Sequence, residues 1–233
     1  MSEGTVLRDS WLGLTVKRRQ HCARIEFWRG TAAAAAGNGM HMSRCLADDQ
    51  FRFHGHFPRH RARRLQMLDH TWIWRADHGS GVGWDLNSSR NGLVVNGSHV
   101  TAYGLFVEHH QQFQVLWNGN WGRTYMYQSE IPYDPPDQAS YSSAPGVDGW
   151  ASYKVADGVT HHQAWGLGVY SVFLHPGVVL TSAIEVPHHP GVRLHHMVTI
   201  ALGHLGAIEH VIDDAGAPTS ISPRVIGQVS DFP

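Results

Sequence analysis

Residues 93–108, LVVNGSHVTAYGLFVE, are repeated in outline by residues 115–130, VLWNGNWGRTYMYQSE. Val-Asn-Gly at 95–97 returns as Trp-Asn-Gly at 117–119, and Val-Glu at 107–108 returns as Ser-Glu at 129–130. Both pairs are spaced by 22 residues, a length that suits one coil of a parallel β-helix with two or three short strands per coil. The repeat therefore predicts an all-β fold, a parallel β-helix. A β-sandwich or a propeller also contains many short strands and stays an alternative at this point.

Stacking follows from this period. From Leu68 onward, short β-prone runs alternate with Gly, Asn, Asp and His, and long amphipathic helices are missing. Strands of successive coils lie about 4.8 Å apart, so residues one period apart are neighbours. We therefore expect Asn96 and Asn118 to form an amide ladder at a turn, and Glu108 to lie beside Glu130. Inward-facing Val, Leu, Ile and Phe are expected to form the core.

The period is not constant along the chain. Ala-Ile-Glu-Val at 183–186 returns as Ala-Ile-Glu-His at 207–210, a spacing of 24 residues, which predicts turns of variable length on a constant strand core. Residues 131–149 contain three prolines by position 136 and a run of Ser and Gly. This segment is expected to leave the coil as a loop, and loops on a rigid scaffold are where binding residues concentrate.

The net charge of −1 is an average over two unlike parts. Residues 1–66 contain 12 Lys and Arg against 5 Asp and Glu, whereas residues 67–233 contain 6 against 14. Both cysteines, Cys22 and Cys45, lie in the basic part, so disulfides cannot stabilise the acidic one. We interpret residues 1–66 as a basic segment that is poorly structured or truncated, and residues 67–233 as the β-helix domain.

Several partners are disfavoured by the same features. The arginines at 59–64 are of a kind that grips phosphate, but no stacking module or helix-turn-helix pattern accompanies them, so no nucleic acid partner is expected. No apolar run approaches the roughly 18 residues that a membrane span needs, so no membrane partner is expected. The first residues also show no signal-peptide pattern.

Glu108 and Glu130 are the candidate catalytic residues, because each ends an otherwise apolar or aromatic strand in a domain with few charges. Two neighbouring carboxylates repel each other, so one of them holds its proton more tightly while the other stays ionised. Cleavage of a glycosidic bond needs such an acid together with an anion that directs water. The alternative is that both are ordinary solvated residues at strand ends.

Aromatic and short polar side chains surround this pair in the sequence. Sugar rings are held by aromatic faces together with amide and carboxylate groups that pair with hydroxyls. The candidate substrate-binding residues are His109, Gln128, Trp117, Asn118, Trp121, Tyr127, Tyr133 and Asp134. Some of these aromatic residues are expected to belong to the core instead.

Histidine is abundant in the acidic domain, with pairs such as His109-His110 and His161-His162. Adjacent residues of a regular strand point to opposite faces, so such a pair cannot supply two ligands to one ion. We therefore expect no metal and no other cofactor. A calcium-dependent lyase would need a carboxylate cluster with a basic residue beside it, and Lys154 is the domain's only lysine.

Longer motifs resemble a known group of secreted actinobacterial and fungal proteins, often labelled coagulation factor 5/8 type domain proteins or adenylyl cyclases. The residues that carry this resemblance are 68–84, LDHTWIWRADHGSGVGW, 102–109, AYGLFVEH, 127–136, YQSEIPYDPP, and 149–157, GWASYKVAD. That group is in turn similar to glycoside hydrolase family 55, the β-1,3-glucanases. The shared pattern is Glu-His at 108–109, Phe-Gln at 113–114 and Gln-Ser-Glu-Ile-Pro-Tyr at 128–133.

The resemblance implies a right-handed, pectin-lyase-like parallel β-helix and an extracellular, inverting glycoside hydrolase. Carried over by position, Glu130 is the implied general acid and Glu108 the second carboxylate, near the attacking water. A polysaccharide of the β-glucan type is the implied substrate. Family 55 enzymes contain two tandem β-helices, so residues 67–233 correspond to the carboxy-terminal one, and a missing amino-terminal β-helix is the implied partner. A non-catalytic carbohydrate-binding β-helix and, third, a polysaccharide lyase remain the alternative functions.

Overall fold

A computed structural model describes residues 52–53, 66–203 and 205–233. Every regular element in this part of the chain is a β-strand, and the two large sheets are built almost entirely of parallel pairs. The predicted all-β parallel β-helix is therefore confirmed. No helix long and apolar enough to cross a membrane occurs among these residues. The expectations for residues 1–66 fall almost wholly outside the described residues.

Fourteen strands are present in the described part. In chain order they are β1 (Arg52–Phe53), β2 (Gln66–Trp74), β3 (Leu93–Val95), β4 (Val100–Glu108), β5 (Val115–Trp117), β6 (Gly122–Glu130), β7 (Ser142–Ala144), β8 (Val147–Asp148), β9 (Tyr153–Val155), β10 (His162–Ser171), β11 (Val179–Glu185), β12 (Val192–Ala201), β13 (Ala207–Ile212) and β14 (Ile226–Phe232). One sheet has the order β1-β3-β5-β9-β11-β13, and the other has the order β14-β12-β10-β6-β4-β2. Each coil thus contributes one strand to each sheet. The last strand, β14, pairs with β12 in the antiparallel direction and so ends the series of parallel coils.

The long strands of the second sheet turn a corner at one fixed position. A residue with positive φ occupies that position in each of them, namely His70, Gly104, Met126, Gly166 and His196. In β6 the neighbouring inward residues are Thr124 and Tyr127, three apart, because Tyr125 and Met126 both face outward. A left-handed residue therefore shifts the alternation by one position, so that both halves of the strand keep an apolar face towards the core.

The spacing between coils varies more than the sequence suggested. Leu93 pairs with Val115, which confirms the period of 22 residues for that step, and Asn118 Nδ2 donates to Asn96 Oδ1 at 2.8 Å as expected for the amide ladder. In contrast, Val179 pairs with Ala207, a spacing of 28, so the predicted alignment at a spacing of 24 is wrong. The two Ala-Ile-Glu segments are four residues out of register in the structure, because the length of the turns sets the strand pairing and sequence similarity does not.

The predicted loop at 131–149 leaves the coil. Gly122 of β6 pairs with His162 of β10, a spacing of 40 residues, so the loop lengthens this coil well beyond 22. Within the loop, β7 and β8 form a short antiparallel hairpin, and Tyr141 is fully buried against the core. The loop is thereby anchored to the solenoid at the edge where β4 and β6 end.

Candidate active site

The ends of four neighbouring strands place their last residues in one column. Trp74 is paired with Glu108, and Tyr170 is paired with Glu130. β4 and β6 are in register up to Phe106 and Gln128, and the backbone N–H of His109 donates to the Glu130 carbonyl at 2.9 Å. The two glutamates therefore lie on adjacent coils, which is the arrangement that the 22-residue period predicted.

Glu108 is the more enclosed of the two carboxylates. Its side chain accepts a hydrogen bond from Trp72 Nε1 at 2.8 Å, and Gln128 also bonds to it. Burial raises the pKa of the Glu108 carboxyl, the hydrogen bond from Trp72 opposes this, and the negative charge of Glu130 adds to the rise. The neighbouring carboxylate thus raises the pKa of Glu108, as two like charges on adjacent coils should.

Glu130 faces the open side, with its side chain 26% exposed. The Tyr133 hydroxyl donates to Glu130 Oε2, and His109 Nε2 lies 3.6 Å from the same oxygen. Burial, followed by the hydrogen bond to Glu130, raises the pKa of Tyr133. Tyr133 therefore keeps its proton and acts as a donor, so Glu130 is held from one side and reachable from the other.

Asp77 organises the neighbouring ring. Its carboxylate accepts from His109 Nδ1 at 2.8 Å, from the Tyr133 backbone N–H at 2.7 Å and from His78 Nδ1 at 2.7 Å. Burial alone would raise the pKa of Asp77, but the hydrogen bond and charge of His109, with the other two donors, bring it below its usual value. An ionised Asp77 fixes the proton of His109 on Nδ1 and leaves Nε2 directed towards Glu130. His109 also has a left-handed backbone, with φ of 66°.

Aromatic rings line the same end of the strands. Tyr133 stacks on His78 with centroids 5.1 Å apart and meets His109 edge-on at 4.5 Å. Trp74 meets both imidazoles edge-on at 6.3 and 6.2 Å, and Trp72, which is 59% exposed, lies 6.4 Å from Trp74. The carboxylates are thus bordered by aromatic surface, part of which is open to a ligand.

A buried ion pair holds the loop against this site. Arg75 donates to Asp134 Oδ1 and Oδ2 at 2.9 and 2.8 Å, and to the carbonyls of Asn87, His109 and Gly83 at 3.0, 3.0 and 3.3 Å. Burial raises the pKa of Asp134, an effect that the Arg75 guanidinium opposes. Both oxygens of Asp134, which was predicted to bind substrate, are engaged by Arg75, so Asp134 positions the adjacent Tyr133 and presents no open acceptor to a ligand.

Asp77, His78 and His109 bring potential metal-ligating atoms within 4.8 Å of one another. Each imidazole Nδ1 lies at ordinary hydrogen-bond distance from its own oxygen of Asp77, with a proton between the two atoms. A hydrogen-bonded cluster accounts for this arrangement, and the expectation of no metal stays a prediction. His110, next in sequence and likewise beyond the end of β4, bonds to Ser89 Oγ at 2.5 Å instead of to Asp77.

The structure corrects the expectations for Trp117 and Tyr127. Their exposed fractions are 0% and 1%, because both side chains point into the solenoid, where Trp117 stacks beside Tyr153 and Tyr127 bonds to Ser152 Oγ. A side chain without exposed surface cannot contact a sugar. For Tyr127 the sequence did not distinguish an inward from an outward position because the corner at Met126 changes the alternation within β6.

Asn118 and Trp121 are exposed but are not brought together with Glu130. They precede β6, whereas Glu130 is the last residue of this nine-residue strand. At about 3.3 Å per residue, roughly 25 Å of strand separates them from the carboxylates. Of the eight predicted binding residues, the structure thus brings four to the site, His109, Gln128, Tyr133 and, as a buried support, Asp134.

Five residues of the site were not predicted. They lie near or just after the end of β2, one coil before Glu108, and are Trp72, Trp74, Arg75, Asp77 and His78. Counting back 22 residues from Glu108 leads to the exposed Leu86, but the true partner, Trp74, lies 34 residues earlier. The usable signal was local, a run of aromatic and charged residues directly after a strand.

Comparisons with known proteins agree with this geometry. Residues 62–130 match the family model of the LAM55 pectate lyase-like domain. An exo-beta-1,3-glucanase from Streptomyces sp. (strain SirexAA-E / ActE) is 45% identical over 168 residues, which are 72% of this chain and 28% of that protein. The structure of sacteLam55A from Streptomyces sp. SirexAA-E superposes with a TM-score of 0.69 at 45% identity, over 72% of this chain and 30% of that one.

A structure of a glutamate-to-alanine variant of sacteLam55A in complex with glucose matches with the same TM-score, identity and coverage. The chain thus spans less than a third of the length of the relatives it matches. The resemblance to glycoside hydrolase family 55 that was drawn from the sequence is confirmed by these matches, and residues 62–130 match a LAM55 pectate lyase-like domain.

Proposed function

We propose that the chain carries the catalytic carboxylates of an inverting glycoside hydrolase that acts on a β-1,3-glucan. One observation carries the proposal, the placement of Glu108 and Glu130 at adjacent strand ends beside exposed aromatic surface. Two carboxyl groups in different surroundings supply the acid and the base that glycosidic cleavage requires. The name of the Streptomyces relative, an exo-beta-1,3-glucanase, supports the choice of substrate.

Glu130 is the proton donor to the leaving oxygen in this mechanism. It is the more accessible carboxyl, and the Tyr133 hydroxyl and the His109 imidazole fix its Oε2 from the protein side. Its other oxygen is therefore free to approach a glycosidic oxygen. Asp77 acts through these two neighbours, because it accepts from both His109 and the Tyr133 backbone.

Glu108 is the second carboxylate, which accepts a proton from the attacking water. A raised pKa makes an ionised carboxylate a stronger base, and burial together with the charge of Glu130 raises that of Glu108. The hydrogen bonds from Trp72 and Gln128 orient its oxygens. In an inverting reaction water attacks on the sugar face opposite to the leaving group, so the carboxylates need space between them for one water molecule.

The site is completed, we infer, by a second β-helix domain. The chain spans 28% of its Streptomyces relative, and the open side of Glu130 offers a surface on which another domain can form the opposite wall of a cleft. Such a wall would exclude water and position a sugar ring, both of which raise the rate. The polymeric substrate supports an extracellular location.

Hydrolysis of β-1,3-glucan by the complete enzyme tests the proposal. Glu130→Gln is expected to lower kcat by about 10²–10⁴-fold, the usual contribution of a general acid. Glu209→Gln, a matched change at an exposed glutamate on β13, should leave the rate unchanged. A rate within a few-fold of the unaltered enzyme for Glu130→Gln would exclude Glu130 as the acid. Nuclear magnetic resonance of the first product decides between inversion and retention.

A non-catalytic carbohydrate-binding β-helix is the competing function, because exposed Trp72 could hold a sugar without hydrolysing it. In that case glucan binds and is never cleaved, and Trp72→Ala weakens binding whereas Glu130→Gln does not. The same titration on the 233-residue chain alone and on the complete enzyme shows whether the proposed second domain is needed for turnover.

A further inference from the structure

A second cleft of about 350 Å³ lies away from the carboxylates, where β6, β10 and β12 begin. Its lining includes Trp121, Arg123, His161, Gln163 and Arg193. Six residues of β6 lie between Arg123 and Glu130, and the corner at Met126 is one of them. The cleft is therefore a separate surface of the solenoid from the one to which the proposed function is assigned.

Register brings three polar side chains into one row on this surface. Gln163 is paired with Arg123 on one side and with Arg193 on the other, so the two arginines lie two strands, roughly 10 Å, apart. Arg193 Nε donates to the Pro190 carbonyl at 3.1 Å. No carboxylate in the described part of the chain forms an ion pair with either guanidinium, although the domain is acidic overall. Their donors are directed to solvent.

Aromatic rings border this polar row on both sides. On one side Trp121 stacks on His161 with centroids 3.7 Å apart. On the other, Tyr125 stacks on Trp165 at 4.8 Å, and Trp165 on His195 at 5.6 Å. The nearby carboxylate of Asp231 is already engaged by His195 Nδ1 at 2.6 Å. The cleft thus combines apolar ring surface with a floor made of hydrogen-bond donors.

Trp121 leaves part of its indole open at the mouth of the cleft. Its backbone has φ of 60°, a left-handed conformation that His99 also adopts one coil earlier, so this turn recurs in the solenoid. The ring stacks on His161 and, with centroids 6.1 Å apart, on His99, yet 45% of the residue stays exposed. The exposed part of the indole is apolar surface against which a sugar ring can pack.

We propose that this cleft binds a polysaccharide that carries carboxylate groups, such as a uronic acid chain. Pyranose rings stack on aromatic faces, and guanidinium groups pair with carboxylates through two parallel hydrogen bonds. The hydroxyls of a neutral sugar need hydrogen-bond acceptors as well as donors, whereas this lining offers the positive charges of Arg123 and Arg193. The site would hold the protein on acidic polysaccharide while the carboxylates at the other end of the strands act on their own substrate.

Calorimetric titration of the 233-residue chain with an oligogalacturonate at about 0.15 M salt tests this site, with a laminari-oligosaccharide of the same length as the neutral probe. We expect oligogalacturonate to bind, and both the Arg123→Gln/Arg193→Gln double variant and Trp121→Gly to weaken it at least tenfold. Glycine suits the left-handed position, so Trp121→Gly should fold normally.

Two controls match these changes. Met126→Gly replaces another exposed apolar residue with positive φ, five residues later on β6, and Arg224→Gln removes an exposed positive charge elsewhere. Both should bind within twofold of the unaltered chain, as should Glu130→Gln. Absence of oligogalacturonate binding overturns the proposal, and so does tighter binding of the neutral probe that depends on Trp121 but not on the two arginines.

Discussion

Removal of the Asp134 charge gives the sharpest test of how the site is held together. Asp134→Asn keeps the size of the side chain and one acceptor oxygen but leaves the Arg75 guanidinium, whose side chain is 1% exposed, without a counter-charge. A buried cation without its counter-charge destabilises a protein by about 3–5 kcal/mol. That is at least about a fifth of the roughly 5–15 kcal/mol by which domains are stable.

The expected fall in Tm follows from the size of the chain. For 150–250 residues, 1 kcal/mol corresponds to about 2–4 °C, so Asp134→Asn should lower Tm by about 6–20 °C. Near-ultraviolet circular dichroism during heating measures this, because the site is rich in aromatic rings. Glu185→Gln is the control, since it breaks the more exposed pair with Lys154, 3.0 Å apart, and such pairs contribute at most about 1 kcal/mol.

An apolar replacement of the whole pair should not restore stability. In many proteins exchanging a buried ion pair for apolar residues is neutral, but Arg75 also donates to three carbonyls, of Asn87, His109 and Gly83. Arg75→Met/Asp134→Leu would leave these without a donor, at about 1–3 kcal/mol each. If Asp134→Asn lowers Tm by less than about 2 °C, or if the double variant recovers the full stability, this account of the Arg75–Asp134 ion pair is refuted.

Three further changes separate the contributions of burial, packing and backbone geometry. Glu108→Gln should raise Tm at pH 7 but not at pH 4. The pKa of Glu108 is higher in the folded than in the unfolded chain, so the stability that its proton provides is complete below the unfolded pKa and is lost as pH rises through the folded pKa. Equal gains in Tm at both pH values in thermal melts would contradict this reasoning. Trp117→Ala should destabilise the chain by about 3–5 kcal/mol in urea unfolding, since it empties a fully buried position. Gly119→Ala should greatly lower the soluble yield, because its Cβ would meet the Gly97 carbonyl at 1.9 Å, whereas Gly158→Ala has open space and should be tolerated.

The sequence predicted the fold through one coil that happens to lack insertions. The step from Leu93 to Val115 has no insertion, so similar residues in the sequence are also neighbours in the stack. The Asn96–Asn118 ladder and the Glu108–Glu130 pair could therefore be predicted. In the other steps loops of different length lie between the same strands. Main-chain pairing and core packing then set the strand register, and short sequence similarities no longer predict it.

The candidate site was predicted only where it depends on that same coil. Glu108, His109 and Glu130 belong to it, and Tyr133 follows directly on the loop. Asp77 and Arg75 reach the site from a coil whose insertion hides their alignment. Trp117 and Tyr127 were misassigned because the sequence does not show whether an aromatic residue on a strand faces the core or solvent. For Tyr127, the corner in β6 also removes the simple alternation that would have decided its direction.

The column at the strand ends has a feature that stability does not explain. Like charges directly opposite each other on paired strands are destabilising, and here Glu108 is also buried, so both effects disfavour the ionised pair. An amide at either position would keep the hydrogen bonds from Trp72 or Tyr133 and avoid the repulsion. Departures from local rules of this kind are expected at functional sites. A carboxylate pair that costs stability, and that a single amide would relieve, is thus itself an argument for catalysis at this end of the strands.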